Sequence, residues 1–251
     1  MEPSHDRSSL RHNFSCLSDI SWSRLAIVVS MKFIDAGTDL LFQGLCPGCH
    51  SPGRGVCCGC TTRVMMDQAK IRSRPGIDLP LWCGGDYAPP LMNIISAAKD
   101  HHRRDGIWLL SVRLAFACAG LIDERGLTGE GILVPFPSRG AAVRERGLDF
   151  TQILAAKTVG HLRRIGHRIS GSSLLRHVRS VQDQSELSVS QRQGNLEGSL
   201  AAIPTSEQRW MIVIDDVVTT GASMREAVRA LRSVGYAPVG LAAVAGTRLR
   251  I

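Results

Sequence analysis

Aromatic residues are scarce: Phe, Trp and Tyr make up 5% of the 251 residues. Proteins that hold single-stranded nucleic acid rely on stacking against such rings, so the material for a stacking platform is thin. Trp82, Tyr87 and Trp108 are the candidates, and each reads more naturally as core. No apolar run reaches about 18 residues, which excludes a membrane span read from hydropathy. The apolar stretch at 25–29 is cut by Ser30 and Lys32 and is too short and poorly flanked for a signal peptide, so the default compartment is the cytoplasm. No Gly-Lys pair occurs anywhere, which excludes the G-x-x-x-x-G-K phosphate loop of nucleotide hydrolases. There is no internal repeat. With 44% hydrophobic and 21% charged residues the chain is neither disordered throughout nor fibrous. A chain of this length allows one large domain, or one domain and a small appendage. About 200 residues bury roughly 70% of their unfolded surface, enough for a core without disulfides.

What is present begins with charge. Thirty Lys and Arg against 22 Asp and Glu give a net charge of +8. The stretch 150–182 contains Lys157, Arg163, Arg164, Arg168, Arg176 and Arg179 and no acid. It is either a solvated basic face or a surface for phosphates, nucleic acid or acidic lipid.

Eight cysteines are present, and Cys46, Cys49, Cys57 and Cys60 fall within CPGCHSPGRGVCCGC. Two C-x2-C knuckles can present four thiolates to one tetrahedral zinc. Cys58 is an extra thiol able to replace Cys57. The alternatives are two disulfides in an exported chain, or unpaired thiols. Cys16, Cys83 and Cys118 are isolated and read as structural. Residues 1–30 read as a disordered extension or the product of a start codon placed too early, 31–80 as the zinc-binding module and 81–251 as the main domain.

Apolar spacing predicts a short strand at 81–87, helices at 91–103, 107–122 and 147–165, and a strand at 132–134 ending in the turn sequence PFPSRG. A strand at 210–214, a helix at 221–234 and a strand at 239–244 complete the pattern. Residues 61–80 read as mixed and polar, and 174–200 as a long excursion. Strands alternating with helices predict an α/β fold, a parallel sheet flanked by helices.

MIVIDDVVTTGAS, residues 211–223, is the strongest motif. An apolar strand leads to two carboxylates, Asp215 and Asp216. Thr219, Thr220, Gly221, Ala222 and Ser223 then open a helix. A helix N-terminus with hydroxyl donors and a close-approach glycine suits a phosphate. Two acids beside a phosphate need hydroxyls or a cation to engage, which fits a sugar phosphate.

This segment resembles the phosphoribosyl diphosphate (PRPP) fingerprint of type I phosphoribosyltransferases, with Ser223 where Thr is usual. The cysteine knuckles, Lys99, VPFPSR with Arg144, Arg146 and Gly147, and LLRHVRSVQDQSEL with Arg192 and Asn195 narrow the resemblance to the ComF family of competence-associated proteins, over roughly residues 35–246. Leu148, Asp149 and Phe150 stand where the family often has Asn-Gln after an Arg-Gly-aromatic. The resemblance implies a type I phosphoribosyltransferase-like sheet behind a four-cysteine zinc module. It implies that Asp215 and Asp216 take the ribose hydroxyls and 219–223 the 5-phosphate. Lys99, Ser138, Arg139, Arg146, Arg176, Arg179 and Gln184 would serve the diphosphate and a closing lid. Magnesium would accompany PRPP, and zinc would be structural. The implied activity is magnesium-dependent phosphoribosyl transfer to an unknown acceptor, linked to DNA uptake. The alternative is a non-catalytic DNA-binding accessory protein regulated by PRPP or nucleotide. Partners would be single-stranded DNA and DNA-uptake or recombination proteins.

Overall fold

A computed structural model describes residues 44–100, 103–138, 140, 143–144, 149–178, 196–204, 206 and 209–248. The expectations for residues 1–43, and for Arg139, Arg146, Arg179, Gln184, Arg192 and Asn195, fall outside these residues.

Five helices are described: α1 (Cys58–Met66), α2 (Leu91–Asp100), α3 (Ile107–Glu124), α4 (Phe150–Arg164) and α5 (Ala222–Arg232). The strands are β1 (Lys70–Arg72), β2 (Leu81–Cys83), β3 (Glu130–Pro135), β4 (Arg168–Gly171), β5 (Leu175–His177), β6 (Leu200–Ala202), β7 (Trp210–Val218) and β8 (Pro238–Gly246). Six strands form one sheet in the order β1-β2-β8-β7-β3-β4. All neighbours are parallel except β1, which runs antiparallel along β2. Strands β5 and β6 form a separate antiparallel pair.

Alternation along the central strands feeds two cores, because successive strand side chains face opposite ways. Leu133, Ile212 and Ile214 join Ile94 and Ile95 of α2, Leu110 and Leu114 of α3, and Leu154 of α4. Ile132, Val134, Met211 and Val213 join Met224 and Leu231 of α5 and Leu175 and Leu200 of β5 and β6. Helices thus cover both faces, as all-parallel strands require. With the turn before it, α3 is long and apolar enough to cross a membrane, yet 72% of its apolar window is buried in this fold. It is the central core helix.

Several elements differ from the sequence reading. The mixed stretch 61–80 contributes most of α1 and all of β1. Strand β7 runs four residues past Ile214, because Asp215, Val217 and Val218 pair with Ala243, Ala245 and Gly246 of β8. The acids therefore lie within the ladder rather than after it. The excursion at 174–200 starts and ends in strands. Helix α4 begins at Phe150, where Asp149 caps it by accepting the Gln152 N–H at 3.2 Å.

Candidate functional site

In the sheet, β3 is followed by β4 on one side, and β7 by β8 on the other. The order therefore reverses between β3 and β7, and the crevice beyond their carboxyl ends is where such sheets bind ligands. Pro135 pairs with Ile214, and the Phe136 N–H donates to the Ile214 carbonyl at 2.8 Å. The turn after β3 thus starts one residue away from Asp215.

Asp215 and Asp216 are 7% and 4% exposed. The Asp216 N–H donates to Asp215 Oδ1 at 2.8 Å, and the Val217 N–H to Asp216 Oδ1 at 2.9 Å. Lys99, near the end of α2, sets its Nζ 2.6 Å from Asp216 Oδ2. Burial, followed by the neighbouring Asp216 charge, pushes the Asp215 carboxyl well above the ordinary range, and Lys99 only partly opposes this. The pair therefore combines a carboxyl whose protonated form burial favours with one that faces a lysine. The oxygens of such a pair can accept from sugar hydroxyls, and a protonated carboxyl can also donate.

The loop 219–221 leads directly into α5, so Ala222 and Ser223 are already helical. Its N-cap is Gly221 at φ 81°, and the Thr220 hydroxyl accepts the Ala222 N–H at 3.4 Å. A Cβ at Gly221 would lie 2.8 Å from Ile77 Cδ1 and 3.1 Å from Arg74 Cβ. Both the left-handed backbone and the close packing require glycine. Arg74 is only 3% exposed. Its guanidinium donates to the carbonyls of Thr219 and Thr247, and to Val218 at 3.4 Å. Arg225 donates to the carbonyls of Pro75 at 2.7 Å and Thr220 at 3.1 Å.

At the turn after β3, Ser138 Oγ donates to Asp149 Oδ1 at 2.7 Å. His177 Nε2 lies 2.9 Å from the Pro137 carbonyl, so the ring donates there and ties β5 to this turn. Arg176 on β5 and Arg144 are exposed.

The thiols of Cys46, Cys49, Cys57 and Cys60 all lie within 4.8 Å of one another. Cys58 stands outside this group and is exposed, so it does not replace Cys57. The N–H groups of Gly48 and Cys57 point at Cys46 Sγ, 3.4 and 3.3 Å away, and that of Cys60 at Cys57 Sγ, 3.4 Å away. Hydrogen bonding, first from Ser51, lowers the Cys49 thiol to about 6. Burial and then the neighbouring thiols raise that of Cys60. Four convergent sulfurs supported by backbone N–H groups are compatible with a structural zinc. The cluster rests on α2, where Asn93 Nδ2 donates to the Gly48 carbonyl at 2.9 Å.

The structure thus brings the acid pair, the loop and Lys99 to one crevice, with Ser138 on the turn beside it, and gathers the four cysteines separately. Arg74, Arg225, Asn93 and Thr247 had no signal in the sequence. Arg74 and Thr219, for instance, are 145 positions apart.

A parallel sheet covered on both faces, with a crevice at its switch point, fits a phosphoribosyltransferase-type domain. The family model described as "Phosphoribosyl transferase domain" matches residues 142–249, which include the acid pair and its loop. The DNA utilization protein YhgH of Escherichia coli (strain K12) is 27% identical over 224 residues, covering 80% of this chain and 96% of that protein. The protein of the same name from Shigella flexneri matches to the same extent. A four-cysteine cluster ahead of the stretch matched by the phosphoribosyl transferase model is the arrangement that the resemblance to ComF-like proteins implies.

Proposed function

We propose that this protein binds PRPP with magnesium in the crevice between β3 and β7 and transfers the phosphoribosyl group to an acceptor. The observation that carries this reading is the buried Asp215–Asp216 pair set against a glycine-gated loop that opens α5. Asp215 and Asp216 would engage the ribose hydroxyls. Residues 219–223 would hold the 5-phosphate through backbone N–H groups and hydroxyls. The turn 136–138 lies where the diphosphate would project. Magnesium, when bound, would neutralise charge shared by the diphosphate and ribose oxygens. Departure of diphosphate from the anomeric carbon builds positive charge on the sugar, which the nearby carboxylate of Asp216 favours. The rest of the protein's contribution is to position the reactants. The four cysteines would hold zinc, and the compartment would be the cytoplasm. DNA uptake is the proposed setting, supported by the name carried by the relatives.

A second reading is a DNA-binding accessory protein in which PRPP or a nucleotide acts as regulator. Lys157 and Arg164, seven residues apart on α4, are both exposed, and that spacing gives one helix face a basic stripe. Partners would then be single-stranded DNA and DNA-uptake or recombination proteins.

Calorimetric titration with PRPP and magnesium, beside the double variant Asp215→Ala/Asp216→Ala, tests the first reading. Binding by wild type that the double variant loses is the expected result. No binding by folded, zinc-loaded wild type overturns it. Binding of single-stranded DNA that falls steeply with salt, without turnover of PRPP, favours the second.

A further inference from the structure

Arg74 carries a buried charge with no carboxylate partner among the described residues. Its side-chain donors go to the carbonyls of Ser73, Val218, Thr219 and Thr247 and to the Thr247 hydroxyl. Arg225 is half-buried, and it donates to the carbonyls of Pro75 and Thr220. Two arginines further along the same helix are neutralised, Arg229 by Glu226 and Arg232 by Asp78. A buried cation without an anion is costly, and it leaves a positive potential that an incoming anion completes.

The bonds also fix the direction of the loop. In a trans peptide the carbonyl of one residue and the N–H of the next point opposite ways. Arg74 holds the Thr219 carbonyl, which the Thr247 hydroxyl also meets at 3.4 Å, and backs that of Val218, whose nearer donor is the Thr247 N–H at 3.0 Å; Arg225 holds that of Thr220. The N–H groups of Thr219, Thr220 and Gly221 are thereby turned to the side away from both arginines. Three successive N–H groups facing one side form an anion cradle.

We propose that Arg74 and Arg225 are the positioning residues of this cradle, and that they set its affinity for a terminal phosphate monoester. They work from behind the loop: they orient its N–H groups, and Arg74 adds a buried positive charge beneath the bound phosphate. The inference rests on the reading that 219–223 takes the 5-phosphate.

The experiment is calorimetric titration of the full, zinc-loaded chain with ribose 5-phosphate and, separately, with inorganic diphosphate. The variants are Arg74→Met, Arg225→Met and Arg225→Lys, each checked for an intact melting transition. Arg74→Met and Arg225→Met are expected to weaken ribose 5-phosphate by about tenfold, the scale of one charge-assisted bond. They should leave diphosphate affinity unchanged, and Arg225→Lys should recover part of the loss. A general folding defect would weaken both ligands alike, and that outcome overturns the proposal. Unaltered ribose 5-phosphate affinity in a folded variant overturns it while the site itself stands. No ribose 5-phosphate binding by wild type overturns both. If Arg74→Met fails to fold, Arg225→Met decides alone.

Discussion

Lys99 places its ammonium 2.6 Å from the Asp216 carboxylate, across 117 positions of sequence. Asp216 is almost wholly buried, whereas the Lys99 side chain is 40% exposed. Removing the lysine leaves a buried charge uncompensated. Breaking a fully buried pair costs about 3–5 kcal/mol, but the exposure of Lys99 reduces this to about 1–2 kcal/mol. Lys99→Met should therefore lower the melting temperature. Asp216→Asn in the same chain should remove most of that loss, since the charge left behind is gone. A double-mutant cycle by thermal or urea unfolding checks this, and additive effects would count against a coupled pair.

Asp215 leads to the opposite prediction. Its carboxyl is raised in the folded chain, by burial and then by Asp216. Ionisation therefore favours the unfolded state. The stability this group provides is fully present below the ordinary carboxylate range and is lost as pH rises through the raised value. Asp215→Asn removes that loss and should raise the melting temperature at neutral pH. A gain of about 1 kcal/mol corresponds to about 2–4 °C at this size. The same variant should lose PRPP binding. Melting curves at several pH values, beside titration, would show whether the gain grows with pH as required.

Much of this site was legible in the sequence because it is local. MIVIDDVVTTGAS contains the strand, both acids, the loop and the helix start within 13 consecutive residues. The cysteine cluster is equally local, with four thiols inside 15. The residues that sequence reasoning missed act over long distances. Arg74 sits in a stretch without clean periodicity, and only the edge strand β1 beside it carries it to the loop. Strands β1, β5 and β6 have three residues each, too few for a period-two pattern to stand out. The end of β7 was misplaced for a related reason. Two aspartates read as the end of an apolar run, yet the ladder to β8 continues through them.

Gly221 offers a backbone test of the loop. Alanine there must adopt a left-handed conformation and place its Cβ 2.8 Å from Ile77 Cδ1. The conformation alone costs about 1–2 kcal/mol, and the clash adds to it. Gly221→Ala should unfold at lower temperature and bind PRPP at least about tenfold more weakly, since 1.4 kcal/mol of misalignment is enough for that. A variant with wild-type affinity would show that this loop does not hold the phosphate.

The cysteine cluster and the acid pair share a helix. Asn93 of α2 ties to the Gly48 carbonyl, and Lys99 of the same helix ties to Asp216. Gly48 is wedged so tightly that a Cβ there would lie 2.7 Å from Cys60 Sγ and 3.0 Å from Pro90 Cβ. Without a cation the sulfurs take up protons and lose the ion that joins them, which frees this contact. Elemental analysis should find one zinc per chain, retained by Cys58→Ser and lost by Cys46→Ser. Removing the metal with a chelator should lower the melting temperature and weaken PRPP binding together, because α2 then no longer holds Lys99 on Asp216. Asn93→Ala in the zinc-loaded chain should reproduce part of the affinity loss without losing metal. If the metal-free chain binds PRPP as tightly as the zinc-loaded one, α2 is held by its own core contacts and the cluster has a separate task.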